Sequence, residues 1–238
     1  AHIMMFAGFM MLFLGTTLLE VDHLAAKVSE KFHFHHGWYY VIYEGALDLF
    51  GLLFILGISL FAWRRMRRPS SVGHRASDWT ALGLFLGICI TGYFVESLRS
   101  VWDQPEGFAL WCSPVGASLA KLFGGMSEAT SRSAHLAVWW VHSLMVFGFF
   151  AMIPFTRLLH FITGPANLFF STPSLGQLKP ISIEEVEETG VVGVSEIAHL
   201  DQQQLLSLDA CMECGRCDDA CPAFASGKPL SPKAVVQD

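Results

Sequence analysis

Apolar residues run almost unbroken through four stretches of the chain, about 2–19, 39–63, 79–98 and 134–159, and polar residues gather between them. A helix needs about 20 such residues to cross a bilayer, so the pattern predicts four spans. Arg64, Arg65, Arg67, Arg68 and Arg75 crowd the connection between the second and third stretches. Basic connections stay on the cytoplasmic side. The first span therefore starts there and the fourth ends there, delivering Phe161 onward to the cytoplasm. The outer connections are 21–38 and 99–133, and Trp102, Trp111 and Pro114 predict that the longer one folds as a cap over the outer mouth.

Past the fourth span the pattern changes. Residues 171–180, Ser-Thr-Pro-Ser-Leu-Gly-Gln-Leu-Lys-Pro, read as an extended linker. Glu184, Glu185, Glu187 and Glu188 follow as a solvated acidic face. A short helix capped by Asp201 is predicted to carry 202–208 up to a cysteine-rich stretch. Ser231 followed by Pro232 reads as an N-cap with proline at the first helical position, opening a helix at the very end of the chain. With Ala1 already inside an apolar run, both ends read as cut from a longer polypeptide.

Composition agrees with the pattern. The chain is 53% hydrophobic and 15% charged, against about 25% charged for soluble domains, and its mean hydropathy is +0.45. These values make it a multi-pass membrane protein with the lipid bilayer as its first partner, and no nucleic acid partner is expected. The formal net charge of −6 averages two unlike parts and decides little.

The sharpest chemical signal is Cys211-Met-Glu-Cys214-Gly-Arg-Cys217-Asp-Asp-Ala-Cys221-Pro222. Spacings of two, two and three residues closed by proline match the bacterial pattern that holds a [4Fe-4S] cluster, three thiolates coming from one tight turn. Zinc sites more often use two separated Cys-x-x-Cys knuckles or mix cysteine with histidine; zinc and spare core cysteines are the competing readings. Of the remaining cysteines, Cys89 lies inside an apolar run and Cys112 in a loop. Cluster thiolates need a reducing compartment, which again puts the C-terminal part in the cytoplasm.

Histidines inside the apolar stretches are the second signal. His142 and His160 are 18 residues apart in the fourth stretch; on one continuous helix that is five turns, one face and roughly 27 Å of axis. Such a pair could serve one ligand near each membrane surface, and neutral imidazole suits haem iron. His2, at the inner end of the first span, is at the level to complete a site with His160. A partner for His142 is left open between His23 and a segment before Ala1. His135, seven residues before His142, is assigned to a haem propionate or a quinone. A hydrogen-bonded interior histidine is the alternative for each. His33, His35 and His36 read as solvated loop residues, or as an adventitious metal site.

Glu44 and Asp48 fall at i, i+4 near the outer end of the second span, and Glu96 and Arg99 at the outer end of the third. Ionisable groups in spans mark proton or substrate pathways, so Glu44, Asp48 and Glu96 are candidates for proton exchange beside a quinone. A structural Glu96–Arg99 ion pair is the alternative.

The stretch His142-Ser-Leu-Met-Val-Phe-Gly-Phe-Phe-Ala-Met-Ile-Pro154-Phe-Thr-Arg157-Leu-Leu-His160 resembles the last helix of respiratory nitrate reductase gamma subunits. In that family two histidines at this spacing bracket a Pro-Phe-Ser-Arg-like segment and ligate different b haems, and the subunit handles quinol. The likeness extends over residues 1–170. The cysteine run with Gly227-Lys-Pro-Leu-Ser-Pro232 is similar to the cluster domain of heterodisulfide-reductase-type proteins. Fusions of the two modules include electron-transfer-flavoprotein:menaquinone oxidoreductases. The gamma family places its other two haem ligands ten residues apart on an earlier helix; here Leu12 stands ten residues after His2. The fusions also carry a second cysteine motif and CCG domains downstream, so Cys221 could serve a second cluster.

The resulting expectation is an all-α protein: a transmembrane helix bundle of at least four spans with a small C-terminal cytoplasmic ferredoxin-like [4Fe-4S] domain. Its parts are a cytochrome b domain over 1–170, a linker and acidic segment over 171–200, and the start of an iron–sulfur domain over 201–238. The resemblance implies two b haems, one or two clusters and menaquinone, in a bacterial or archaeal cytoplasmic membrane. It further implies a quinone-linked oxidoreductase of a respiratory chain, passing electrons between a cytoplasmic carrier such as electron-transfer flavoprotein and menaquinone. Two alternatives stand beside it: a menaquinol-oxidising subunit feeding a cytoplasmic disulfide or heterodisulfide reductase, and a non-redox zinc-binding membrane anchor.

Overall fold

The computed structural model describes residues 1–29, 33–67, 75–103, 112–171, 181–190, 192–194 and 196–237, without the Glu185 side chain. Arg68, Trp111, the expected linker at 172–180 and Asp238 therefore lie outside the described residues. Among the described residues every regular element is helical. Four helices are long and apolar enough to cross a membrane: α1 (His2–Val28), α2 (Gly37–Met66), α3 (Ala76–Asp103) and α5 (Glu128–Met152). A short helix, α4 (Pro114–Phe123), lies in the connection between α3 and α5, where a folded cap was expected. Two compact units emerge, one of Ala1–Arg68 with Arg75–Phe150, the other containing Ala151–Asp238.

In the first unit the spans meet through small residues and rings. α1 lies so close to α2 that a Cβ on Gly8 would come 2.6 Å from the Phe54 Cβ, and one on Gly57 would come 2.9 Å from the Met5 backbone nitrogen. In lipid, where apolar surface gains nothing by leaving the solvent, such close backbone approach is what drives pairing. Farther in, each span contributes one ring to a cluster: Phe9, Phe54, Phe85 and Phe149. Ring centroids are 5.4 Å apart for Phe54–Phe85, 5.2 Å for Phe85–Phe149 and 5.8 Å for Phe9–Phe149. By contrast Leu49, Leu56, Leu144 and Phe147 point outward and are exposed, as side chains facing hydrocarbon should be.

Polar groups in this unit are spent on joining helices. Asp48 of α2 accepts the N–H groups of Val115 and Gly116 at 3.1 and 3.0 Å, satisfying the otherwise open first turn of α4. Tyr93 of α3 donates to the Asp48 carbonyl at 2.5 Å, and Ser131 of α5 donates to the Leu98 carbonyl at 2.8 Å. At the basic end, Arg65 pairs with Asp78 at 2.5 Å.

The expected fourth helix is not continuous. It stops at Met152 and gives way to 3-10 turns at Ile153–Phe155 and Arg157–Leu159, with Thr156 extended between them (φ −135°, ψ 174°). Pro154 has no N–H to donate back along the helix. Thr156 takes over the local bonding, its hydroxyl donating to the Met152 carbonyl at 2.8 Å and accepting from Leu158 N–H at 3.3 Å. A new helix, α6 (His160–Phe170), begins at the second histidine. His142 and His160 thus sit on different helices, and the five-turn, one-face geometry expected for an unbroken helix does not hold.

The second unit continues with α7 (Ile183–Thr189), whose Glu184, Glu187 and Glu188 are exposed as expected. α8 (Gln202–Asp209) opens at the expected Asp201 cap, which forms a full capping box with Gln204. Short helices α9 (Arg216–Ala220), α10 (Pro222–Ala225) and α11 (Pro232–Gln237) complete it.

Close packing at Gly8 generates a test. Gly8→Leu should overpack the α1–α2 contact and cost about 1–3 kcal/mol, seen as a lower melting temperature in detergent. Gly83→Leu, at a glycine with nothing within 4 Å of an added Cβ, should leave it unchanged.

Candidate redox centres and proton-exchange groups

The cysteine run is shaped by backbone rather than by a closed cage. Cys211 follows α8, its N–H bonded to the Leu208 carbonyl at 3.0 Å. Glu213 (φ +54°) and Gly215 (φ +77°) then take left-handed conformations on either side of Cys214, curling the chain so that Cys217 lands in the first turn of α9. Cys221 is extended and caps α10, where Pro222 takes the first helical position. All four are free thiols; Cys214 and Cys217 are exposed, Cys211 and Cys221 half-buried. Among the described residues no three metal-binding side chains already converge on one point. The donor set nonetheless suits an iron–sulfur cluster: four unpaired thiols, three of them on one left-handed turn open to solvent.

Asp218, between the third and fourth cysteines, is 1% exposed and was missed by sequence reasoning. Its carboxylate accepts from Ser231 Oγ at 2.9 Å and from the Lys233 N–H at 3.0 Å, with the Lys233 ammonium 3.7 Å away. It ties the cysteine run to α11, whose expected cap, Ser231, accepts the Ala234 N–H at 3.1 Å. Burial works against the Asp218 charge, but the Lys233 N–H, the Ser231 hydroxyl and the Lys233 ammonium outweigh it and hold the carboxyl below its ordinary range.

Each histidine of the spaced pair has its Nδ1 engaged. His142, on α5, has Nδ1 2.9 Å from Thr91 Oγ1 of α3. Thr91 Oγ1 also lies 2.7 Å from the Gly87 carbonyl and 3.1 Å from the Ile88 carbonyl; with its one proton on that backbone, Oγ1 accepts from His142 Nδ1–H. That selects the tautomer with its lone pair on Nε2, the form that ligates iron. Gly92 lies beside the same ring, where an added Cβ would sit in ordinary contact, 3.5 Å from His142 Cε1. His160 donates from Nδ1 to the Arg157 carbonyl at 2.5 Å, which selects the same tautomer. Both imidazoles therefore suit haem ligation. Thr91 gave no sequence signal, because a threonine in an apolar helix usually bonds only its own backbone.

The other histidines vary. His2 is exposed at the start of α1, its ring 6.3 Å from that of Phe61, and His23 is exposed near the other end of the helix. His135 packs edge-on against Trp102, centroids 5.1 Å apart. His33 and His36 are exposed, His33 lying 2.7 Å from Asp22. His35 departs from the solvated reading: its side chain is 2% exposed. Asp22, itself buried, accepts the Phe34 and His35 N–H groups at 2.7 and 3.2 Å, folding the imidazole in against Tyr43.

The three candidate carboxylates meet different partners. Glu44 accepts from Tyr40 at 2.5 Å and pairs with Arg99, which also holds Asp103 at 2.7 Å. Arg99 thus pairs with Glu44 and Asp103, not in the Glu96–Arg99 pair that stood as the alternative reading. Asp48 caps α4. Glu96 packs against the same helix start, where a Cβ on Gly116 would come 2.6 Å from its Oε1.

The depressed Asp218 carboxyl sets the sign of a pH effect. Its contribution is complete above the ordinary aspartate value of about 4 and is lost as pH falls through the lower folded value. Exchange of the Lys233 amide, corrected for its intrinsic rate, should therefore quicken only in that acid range, and Asp218→Asn should show the faster exchange already at neutral pH.

A model of the nitrate reductase gamma subunit family matches residues 2–176. The EtfAB:quinone oxidoreductase of Syntrophomonas wolfei is 31% identical over 99% of this chain and 33% of its own length. The probable iron-sulfur-binding oxidoreductase FadF of Bacillus subtilis is 28% identical over the same shares. A probable membrane-anchored ferredoxin of Chromohalobacter salexigens is 32% identical over 76% of this chain and 25% of its own length. The chain spans about a third or less of the curated relatives it matches, and no solved structure matches it. Two of these relatives are named as oxidoreductases and the third as a membrane-anchored ferredoxin. With about three quarters of its length under the family model, the chain belongs to the nitrate reductase gamma subunit family.

Proposed function

We propose that the chain is the membrane part of a quinone-linked oxidoreductase, relaying electrons between a cytoplasmic donor such as electron-transfer flavoprotein and the menaquinone pool. The observation that carries this reading is the union, in one chain, of two histidines held in the Nε2-ligand tautomer with a four-thiol iron–sulfur run. The names of the relatives add quinone and electron-transfer flavoprotein as the class of partner. When bound, [4Fe-4S] clusters and b haems would supply one-electron chemistry.

The residues divide the work. Cys211, Cys214 and Cys217 bind one cluster, and Cys221 completes it or serves a neighbour. His142 and His160 each ligate a haem iron through Nε2, and His2 is the candidate second ligand at the inner haem. Reducing one quinone takes two electrons and two protons, and the protons must come from protein groups near the outer ends of α2 and α3. Glu96 is the exchanging group in this reading, with Glu44 fixed by Arg99 and Asp48 fixed at the start of α4 beside it. His135 borders the same end and orients a propionate or the quinone. The arginines that close α2, and Arg75 before α3, support a cytoplasmic side for the iron–sulfur segment in a bacterial or archaeal cytoplasmic membrane.

His160→Ala should remove one haem per chain and leave the other, read as a halved pyridine haemochrome at unchanged iron–sulfur content. Unchanged haem content in that variant would overturn the ligand assignment.

A further inference from the structure

The second unit brings the cysteine run against the segment that carries His160. Arg157 forms an ion pair with Glu213, the residue immediately before Cys214, and both side chains are only 11% exposed. Beside it, Thr163 of α6 donates its hydroxyl to the Asp209 carbonyl at 3.2 Å, and Thr163 is itself buried. Arg157 is thus used twice: its carbonyl accepts from His160 Nδ1 at 2.5 Å, while its guanidinium holds the cysteine loop.

Glu213 is an unexpected residue for its place. Its φ of +54° lies in the left-handed region, which glycine and asparagine adopt readily and a glutamate adopts at a cost in backbone energy. The short side chains that suit this conformation would not reach Arg157 as a carboxylate. A strained residue kept for its side chain marks a functional constraint rather than a loop filler.

We propose that Arg157 and Glu213 form a latch that seats the Cys211–Cys217 loop on the His160 segment, a pair of positioning residues for electron transfer between the two centres. The proposal rests on the reading of His160 as a haem ligand and the cysteines as cluster ligands. It makes one bonded route from Cys214 through Glu213 and Arg157 to His160. The latch fixes the spacing of the loop from the imidazole while taking no part in ligation. It also couples the two centres mechanically, since a shift of the loop pulls on the residue that orients the ring.

The test uses the full chain in detergent, as Arg157→Glu, Glu213→Arg and the double exchange, with haem and iron measured first in each. Breaking a buried pair leaves one charge unmatched, so either single variant should speed amide exchange of residues 209–217 on the order of a hundredfold. The double exchange should bring that rate back near the starting value, and reduction of the His160 haem after rapid reduction of the cluster should slow and recover in parallel. Unchanged exchange in the single variants, or acceleration that the double exchange fails to reverse, would overturn the latch. A rescued exchange pattern in a chain that binds neither haem nor iron would uphold the latch and overturn the redox reading instead. Glu213→Gln, which keeps length and shape, should open the loop as Glu213→Arg does; wild-type exchange in that variant would mean the charge is not what holds it.

Discussion

In hydrocarbon a polar group has no water to fall back on, and each one left unmet costs on the order of several kcal/mol. That constraint organises this chain. Asp48 takes up the open N–H groups of α4, Tyr93 and Ser131 take up carbonyls on other helices, and Thr91 divides its one proton and one lone pair between Gly87 and His142. The groups that hold the bundle together are in several cases the same groups that set the state of a functional side chain. His142 owes its tautomer to a threonine that is also settling its own helix.

The break after Met152 follows the same logic. Pro154 removes a donor, Thr156 supplies bonding in its place, and the chain restarts as a helix at His160. Restarting there puts the imidazole at a helix start, where its Nδ1 reaches back to the Arg157 carbonyl. The same carbonyl also accepts the His160 backbone N–H in the 3-10 turn. The proline therefore moves His160 from a helix interior to a helix start, on the same segment whose Arg157 side chain pairs with Glu213.

Much of this was legible in the sequence, and the limits have physical causes. The four spans follow from apolar runs whose length matches the bilayer; the second and third helices extend into polar turns at both ends and the first at its far end, while the fourth starts earlier than expected and stops early, at Met152. The Asp201 cap and the Ser231-Pro232 start were readable because capping is a local, fixed-spacing interaction. A Glu96–Arg99 pair was the alternative suggested by sequence proximity, whereas the long Arg99 side chain crosses to Glu44 on α2. His35 was read as solvated from its polar neighbours; burial came from Asp22 thirteen residues earlier, which no local pattern reveals. Thr91, Asp218 and Glu213 were invisible for a related reason, since each acts through a partner distant in sequence or through a backbone angle.

The central claim is that this chain carries haem and iron–sulfur chemistry and not zinc. Optical and low-temperature EPR spectra of the purified, dithionite-reduced protein, with metal analysis of the same sample, address it most directly. The account predicts sharp reducible b-type bands, a reduced [4Fe-4S] signal and iron in excess of haem. A colourless protein holding zinc would contradict it.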